Sequence, residues 1–155
     1  NCGLDLREKM PIICREHGIF YQVLRTHLDG NGCSECTQSL GARQVSHWLT
    51  NNDIFYEVEY PIPAGKKGLP LRADFFLPEY DLFIEYDGEQ HFKPIAFFGM
   101  DEKTSLSVFK QQQERDKAKD NWIINKGFKL LRIRFDQDVT TELDKYFEVL
   151  NSEKM

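Results

Sequence analysis

At 155 residues the chain has the length of one ordinary domain, or of a compact domain with a small appendage. A hydrophobic fraction of 41%, a charged fraction of 29% and the 12 Phe, 6 Tyr and 2 Trp exclude a disordered, collagenous or low-complexity chain. The net charge of −5 excludes a generally basic nucleic-acid coat, and no apolar run approaches the roughly 18 residues of a membrane span.

The chain opens at Asn1 rather than Met, as a fragment or trimmed chain would, and shows no basic-then-apolar leader. Its four cysteines, Cys2, Cys14, Cys33 and Cys36, all fall early, so they do not staple the whole fold. Cys14 and His17 form one pair with a two-residue gap, and Cys33 and Cys36 form another. Tetrahedral zinc takes sulfur and nitrogen ligands from such pairs, because a tight turn presents both side chains to one ion. Cys14, His17, Cys33 and Cys36 are therefore expected to hold a structural Zn²⁺ with no open position. Cys2 reads as an ordinary thiol. His27 competes with His17 for the fourth place, but the CxxH spacing favours His17, which leaves His27 to support the site or meet phosphate. Residues 1–38 are expected to form this module, with a hairpin (Ile12–Ile13, Ile19–Val23), a knuckle and a helix start. Residues 39–155 are expected to form the main domain.

Ser39 suits the N-cap of a helix to about Asn51, with Val45, Trp48 and Leu49 as its apolar stripe. Ile54–Tyr60 reads as a strand ended by Pro61. Leu71–Leu77 and Leu82–Asp87 are two further strands around a turn at Pro78–Asp81. A long helix is expected from about Ser105 to Asn125, stopped at Gly127, then a strand over Phe128–Phe135. A last helix should begin at Asp138 or Thr140, with Leu143, Tyr146, Phe147 and Leu150 facing the core. The order α-β-β-β-α-β-α describes an α/β (α+β) mixed sheet flanked by helices.

Charge is uneven along that order. Asp74, Glu79, Asp81, Glu85, Asp87 and Glu89 follow one another without an intervening Lys or Arg, whereas eight basic and three acidic residues lie between Lys110 and Arg134. Asp74 sits mid-strand between Ala73 and Phe75, where a lone carboxylate is costly to bury unless it is paired or binds a cation. Glu85 and Asp87, two apart, project from one face of the next strand. His91 follows just past Gly88, so three carboxylates and a histidine are expected at one sheet edge, as a magnesium site with a proton-shuttling or water-positioning histidine. The bland counterpart leaves Glu85 and Asp87 in solvent on an edge strand. On the long helix Phe109, Gln112, Gln113, Asp116, Lys119, Asp120 and Ile123 share one face, apolar at its ends and polar between. Asp116 and Lys119 are the expected inward groups, although a solvated helix with a Lys110–Glu114 pair fits the spacing too. Arg132 can contact phosphate, and Arg134 can do so or pair with a carboxylate of the last helix.

The string RADFFLPEYDLFIEYDGEQHF (Arg72–Phe92) with RDKAKDNWIINKGFKLLRIRF (Arg115–Phe135) resembles the very-short-patch-repair-like branch of the PD-(D/E)XK nucleases, including the EDxHD homing endonucleases of phages. The resemblance runs from Cys14 to about Phe135 and implies a restriction-endonuclease-like αβββαβ core behind a treble-clef-like zinc module. By it, Asp74 resembles the central metal ligand, Asp87 and His91 the groups that position water, Asp116 the helix carboxylate, and Glu85 the acidic residue before the glycine turn. One departure is plain. The family's first helix opens S-x-G-E, and here Ser39-Leu40-Gly41 is followed by Ala42, also the position where Glu would close a capping box. Alanine there marks a naturally impaired enzyme or a deliberate Glu-to-Ala inactivation, of which the second is the expectation.

The resemblance implies a metal-dependent endodeoxyribonuclease. Asp74 with Glu85 or Asp87 would hold Mg²⁺ (or Mn²⁺), His91 would relay a proton, and Lys119 and Arg132 would stabilise phosphate. Arg15, Arg25 and His27 would meet the phosphates of double-stranded DNA. A homodimer is the expected route to double-strand cleavage. Reduced cysteines fit an intracellular setting, the cytoplasm of a bacterial or phage-infected cell. The counter-expectation is a catalytically dead, zinc-containing nucleic-acid-binding protein on the same fold.

Overall fold

The structure is a computed structural model that describes residues 5–15, 18–33, 36, 38–66, 70–94 and 101–153. The chain divides into two compact units with the boundary between Arg43 and Gln44, five residues beyond the boundary expected from sequence. In the first unit, strands β1 (Lys9–Cys14) and β2 (Gly18–Val23) form an antiparallel hairpin with Ile13 opposite Ile19, and helix α1 (Leu24–Leu28) follows directly. Helix α2 (Leu40–Asn51) starts in this unit, and Ser39 caps it as expected, its Oγ accepting from Ala42 N at 3.2 Å.

The second unit is a mixed α/β fold around a four-stranded sheet. Its strands are β3 (Glu57–Ile62), β4 (Leu71–Leu77), β5 (Leu82–Asp87) and β6 (Lys129–Arg134), in that spatial order. The first three run antiparallel to their neighbours, and β6 pairs parallel with β5. Parallel pairing needs a long crossover. Helix α3 (Glu102–Asn125) supplies it, capped by Asp101 and closed at Gly127, whose φ of 83° suits a residue without Cβ. Helix α4 (Val139–Glu153) ends the fold, with Asp138 Oδ1 accepting from Thr141 N. Among the described residues no helix is long and apolar enough to cross a membrane.

The expected order of elements is observed, with local differences. Strand β3 begins at Glu57 rather than Ile54 and runs through Pro61, opposite Arg72. Proline is tolerated there because β3 is an edge strand, where the missing N–H has no ladder partner to lose. Gln113 is exposed, so the inner face of α3 passes through Phe109, Gln112, Asp116, Lys119 and Ile123 without it. The Lys110–Glu114 pair is also replaced, since Glu114 binds Lys66 at 2.8 Å.

Between the sheet and α3 lies an aromatic cluster. Phe76 stacks on Phe83 with ring centroids 4.5 Å apart, Phe128 stands edge-on to both, and Ile123 and Trp122 close it from the helix. Phe83 is fully buried, and truncating such a ring to alanine typically costs about 3–5 kcal/mol. One turn back along α3, over the same strand, the packing changes from rings to charges. That change locates the site.

Candidate active site and cysteine cluster

The ladder between β4 and β5 pairs Leu77 with Leu82, Phe76 with Phe83 and Phe75 with Ile84. Beyond that point a side chain takes over from the backbone: Asp74 Oδ2 accepts from Tyr86 N at 2.8 Å. The alternation of β4 also breaks here, because Ala73 and Phe76, three apart, belong to the same core cluster. Across the edge, Val58 pairs with Phe75 and Tyr60 with Ala73, which leaves Glu59 opposite Asp74. Glu59 has a φ of 52°, the left-handed region that a non-glycine residue occupies only at a cost. Burial raises the pKa of Asp74, and the Asp87 carboxylate adds to the effect. The Tyr86 amide, Lys119 and His91 oppose it.

Glu85 and Lys119 lie next to this break. Glu85 is 2% exposed and Lys119 7% exposed, and Lys119 Nζ donates to Glu85 Oε2 at 2.8 Å and to the Arg72 carbonyl at 3.3 Å. The other carboxylate oxygen, Glu85 Oε1, is buried with no hydrogen-bond partner among the described residues. Burial first, and the nearby Asp74 charge second, push the Glu85 pKa up to about 7 despite the ammonium beside it. The exposed edge-strand alternative for Glu85 and Asp87 is therefore not what the structure has. β5 is an interior strand and both carboxylates are buried.

A second group continues along the sheet end. Arg132, opposite Glu85 in the parallel ladder, donates Nη1 to Asp87 Oδ1 and Nε and Nη2 to Asp120 Oδ1. Its guanidinium thus serves carboxylates of this unit and is not held out toward a phosphate. His91 Nδ1 lies 2.7 Å from Asp116 Oδ2 and 3.7 Å from Asp87 Oδ1. The Asp116 hydrogen bond raises the His91 pKa more than burial lowers it. Burial works against the Asp116 carboxylate, but His91, Lys119 and Arg132 together outweigh it and hold Asp116 below its ordinary range. Gln112 Nε2 donates to Asp116 Oδ1 at 3.1 Å. Arg134 pairs with Asp136 just before α4 and lies over the Phe92 ring, 4.5 Å from its centroid.

Asp74, Glu85, Asp87, His91, Asp116, Lys119 and Arg132 are thus drawn into one charged layer between the sheet end and α3. They do not form a ready-made cage of three ligand atoms. Among the described residues the one group of three whose donors lie within 4.8 Å of one another is Cys14, Cys33 and Cys36. Sequence reading places Asp120 on the inner face of α3 but gives it no role, and the structure makes it the anchor of Arg132. Glu59, opposite Asp74, escapes sequence reading because it hides in the ordinary alternation of Glu57–Tyr60.

In the first unit, Cys14 Sγ and Cys36 Sγ are 3.5 Å apart. Sulfurs on a tetrahedral zinc, with bonds of about 2.3 Å, stand a little under 4 Å apart, so the spacing fits such an ion. The hydrogen bond to Cys14 and the further thiols around it push the Cys36 pKa up to about 11, the response of crowded sulfurs that a cation would reverse. These three sulfurs can hold a metal ion. His17, the expected fourth ligand, and Cys2 lie outside the described residues. His27 turns Nδ1 to Gln22 Oε1 at 3.3 Å and is not part of the cysteine group. Arg15 is exposed, and Arg25 is exposed and paired with Asp29 at 3.3 Å. Ala42 is buried in the first turn of α2.

No family model matches the chain. Over 85 residues it is 31% identical to "Uncharacterized protein 307L" of Invertebrate iridescent virus 6, a stretch that covers 54% of this chain and 41% of the viral protein. The chain thus spans less than half the length of that relative.

Proposed function

We propose that the chain is a metal-dependent endonuclease of double-stranded DNA, built like the very-short-patch-repair and EDxHD nucleases that its sequence resembles. The observation that carries the reading is the orphaned Glu85 Oε1, buried beside Asp74 and Lys119. A buried carboxylate oxygen without a partner is expensive, and a divalent cation is the partner that would relieve it. Mg²⁺ commonly takes only one or two protein carboxylates and keeps its waters, so Asp74 and Glu85 suffice as its ligands. Asp87, tied to Arg132, is better placed to orient the layer than to bind the ion.

Bound there, Mg²⁺ or Mn²⁺ would supply a lowered water pKa and charge neutralisation at the phosphoryl oxygens. Lys119 keeps Glu85 anionic enough to bind. His91 turns Nδ1 to Asp116, which in the neutral imidazole leaves Nε2 as the proton acceptor for an attacking water. In the first unit, Cys14, Cys33 and Cys36 would hold a structural Zn²⁺ with His17 as fourth ligand. Arg15 and Arg25 would meet DNA phosphates.

The test is plasmid cleavage with Mg²⁺ and with EDTA, using the chain with Ala42, Ala42→Glu, and Ala42→Glu with Asp74→Ala. Metal-dependent cutting by Ala42→Glu that disappears with Asp74→Ala is expected, and equal activity in both variants would overturn the reading. A second reading, a zinc-containing nucleic-acid-binding protein without turnover, draws on Ala42 and on the ion pairs that already occupy Asp87 and Asp116. Salt-dependent binding without cleavage, even by Ala42→Glu, would favour it.

A further inference from the structure

Beside the charged layer, the turn after β3, the start of β4 and the outer flank of α3 enclose a recess of about 700 Å³. That is the size range of small-ligand sites, roughly 300–1,000 Å³. We infer that this recess takes one unstacked nucleotide of a polynucleotide strand, with its base against the apolar wall and its phosphate at Arg115. The inference rests on the nucleic-acid part of the proposed function and not on cleavage.

Three observations converge on that occupant. Pro70, Leu71 and Ala118 contribute an apolar wall, the kind of surface on which a base stacks without regard to its identity. Among the described residues, the charged ones around the recess are Lys66, Arg72, Arg115 and Lys119 against Glu114, four cations to one anion in a chain whose net charge is −5. Glu114 is matched by Lys66 at 2.8 Å and Lys119 by Glu85 at 2.8 Å. The Arg115 side chain, by contrast, is exposed and has no hydrogen bond or ion pair among the described residues. A guanidinium left unmatched at the rim of an apolar recess is suited to a phosphate, which it can bind through two parallel N–H groups.

The recess also shares Lys119 with the charged layer, so a nucleotide seated in it lies one residue away from the Asp74 and Glu85 carboxylates. A duplex is too wide to enter. A base must leave its stack to do so, which costs least in single-stranded or locally opened nucleic acid.

The experiment measures binding without added Mg²⁺ and without chelator, where turnover is off and the cysteine cluster keeps its metal, of a single-stranded oligonucleotide carrying one 2-aminopurine. Fluorescence of the probe and anisotropy across a salt series are read for the unaltered chain, Arg115→Gln and Ala118→Trp, each checked for folding by circular dichroism. Arg115→Gln, an exposed substitution, should lower the magnitude of the log–log salt slope by about 0.7. Ala118→Trp should fill the recess, weaken binding about fivefold or more, and abolish the change in probe emission. Unchanged affinity and salt slope in Arg115→Gln would overturn the inference, whatever Ala118→Trp does. A chain that binds in this way yet never cuts DNA keeps the recess and loses the nuclease. A chain that cuts while Arg115→Gln binds as before does the reverse.

Discussion

Lys119 on α3 reaches down to Glu85 on β5 and sets a full charge 2.8 Å from a carboxylate that is 2% exposed. The pair joins the two elements at the point where aromatic packing gives way to the charged layer. Breaking a buried pair from one side leaves the other charge without compensation, at a typical cost of about 3–5 kcal/mol. Lys119→Met is expected to lose stability on that scale in urea titrations of the metal-free protein. Glu85→Gln combined with Lys119→Met should recover most of it. A double variant no more stable than Lys119→Met would show that the pair is not the cause.

The raised pKa of Glu85, about 7 against an ordinary 4.5, makes stability depend on pH. The folded state holds the Glu85 proton more tightly than the unfolded state, so its contribution is full below about pH 4.5 and is lost as pH rises through about 7. Metal-free protein should therefore lose a few kcal/mol of Glu85's contribution across that window. Glu85→Gln should flatten this part of the profile in denaturation curves collected at successive pH values. Saturating Mg²⁺ should flatten it too, by giving the ionised form a partner.

His91 carries a raised pKa through its hydrogen bond to Asp116, and a proton acceptor must be neutral. The ascending limb of kcat/KM against pH in Ala42→Glu is expected to have its midpoint above 6.5. Adding Asp116→Asn should move that midpoint down, because the carboxylate that favours the imidazolium is gone. A midpoint that ignores Asp116→Asn would separate His91 from the proton transfer.

Metal analysis of the purified chain is expected to find one Zn²⁺ per molecule. Cys33→Ser or Cys36→Ser should lower that content and the melting temperature together. Chelation should destabilise the first unit while the sheet of the second unit keeps its amide-exchange protection. Full zinc occupancy in both serine variants would exclude the cysteine cluster as the site.

Glu59 occupies left-handed backbone opposite Asp74. Glu59→Gly relieves that conformation and should stabilise the chain by up to about 1 kcal/mol in thermal denaturation. A loss of stability would mean that the Glu59 side chain contributes more than its backbone costs.

Period-two and helical patterning, capping at Asp138 and the Gly127 stop specify nearly every element of the second unit in the sequence, and Ser39 marks the start of α2. These are local signals, carried by neighbours along the chain. The spacing of Cys33 and Cys36 is local too, whereas Cys14 joins that pair across 22 positions of sequence. Only tertiary structure decided the rest. Pro61 stays in a strand because β3 is at the sheet edge, Arg132 is turned inward by Asp87 and Asp120, and Glu85 is paired with Lys119 across 34 positions of sequence. Charge pairing in a buried layer depends on which helix crosses which strand and at what height. A residue's own neighbours carry no record of that, so the sequence names the charged groups and the fold alone chooses their partners.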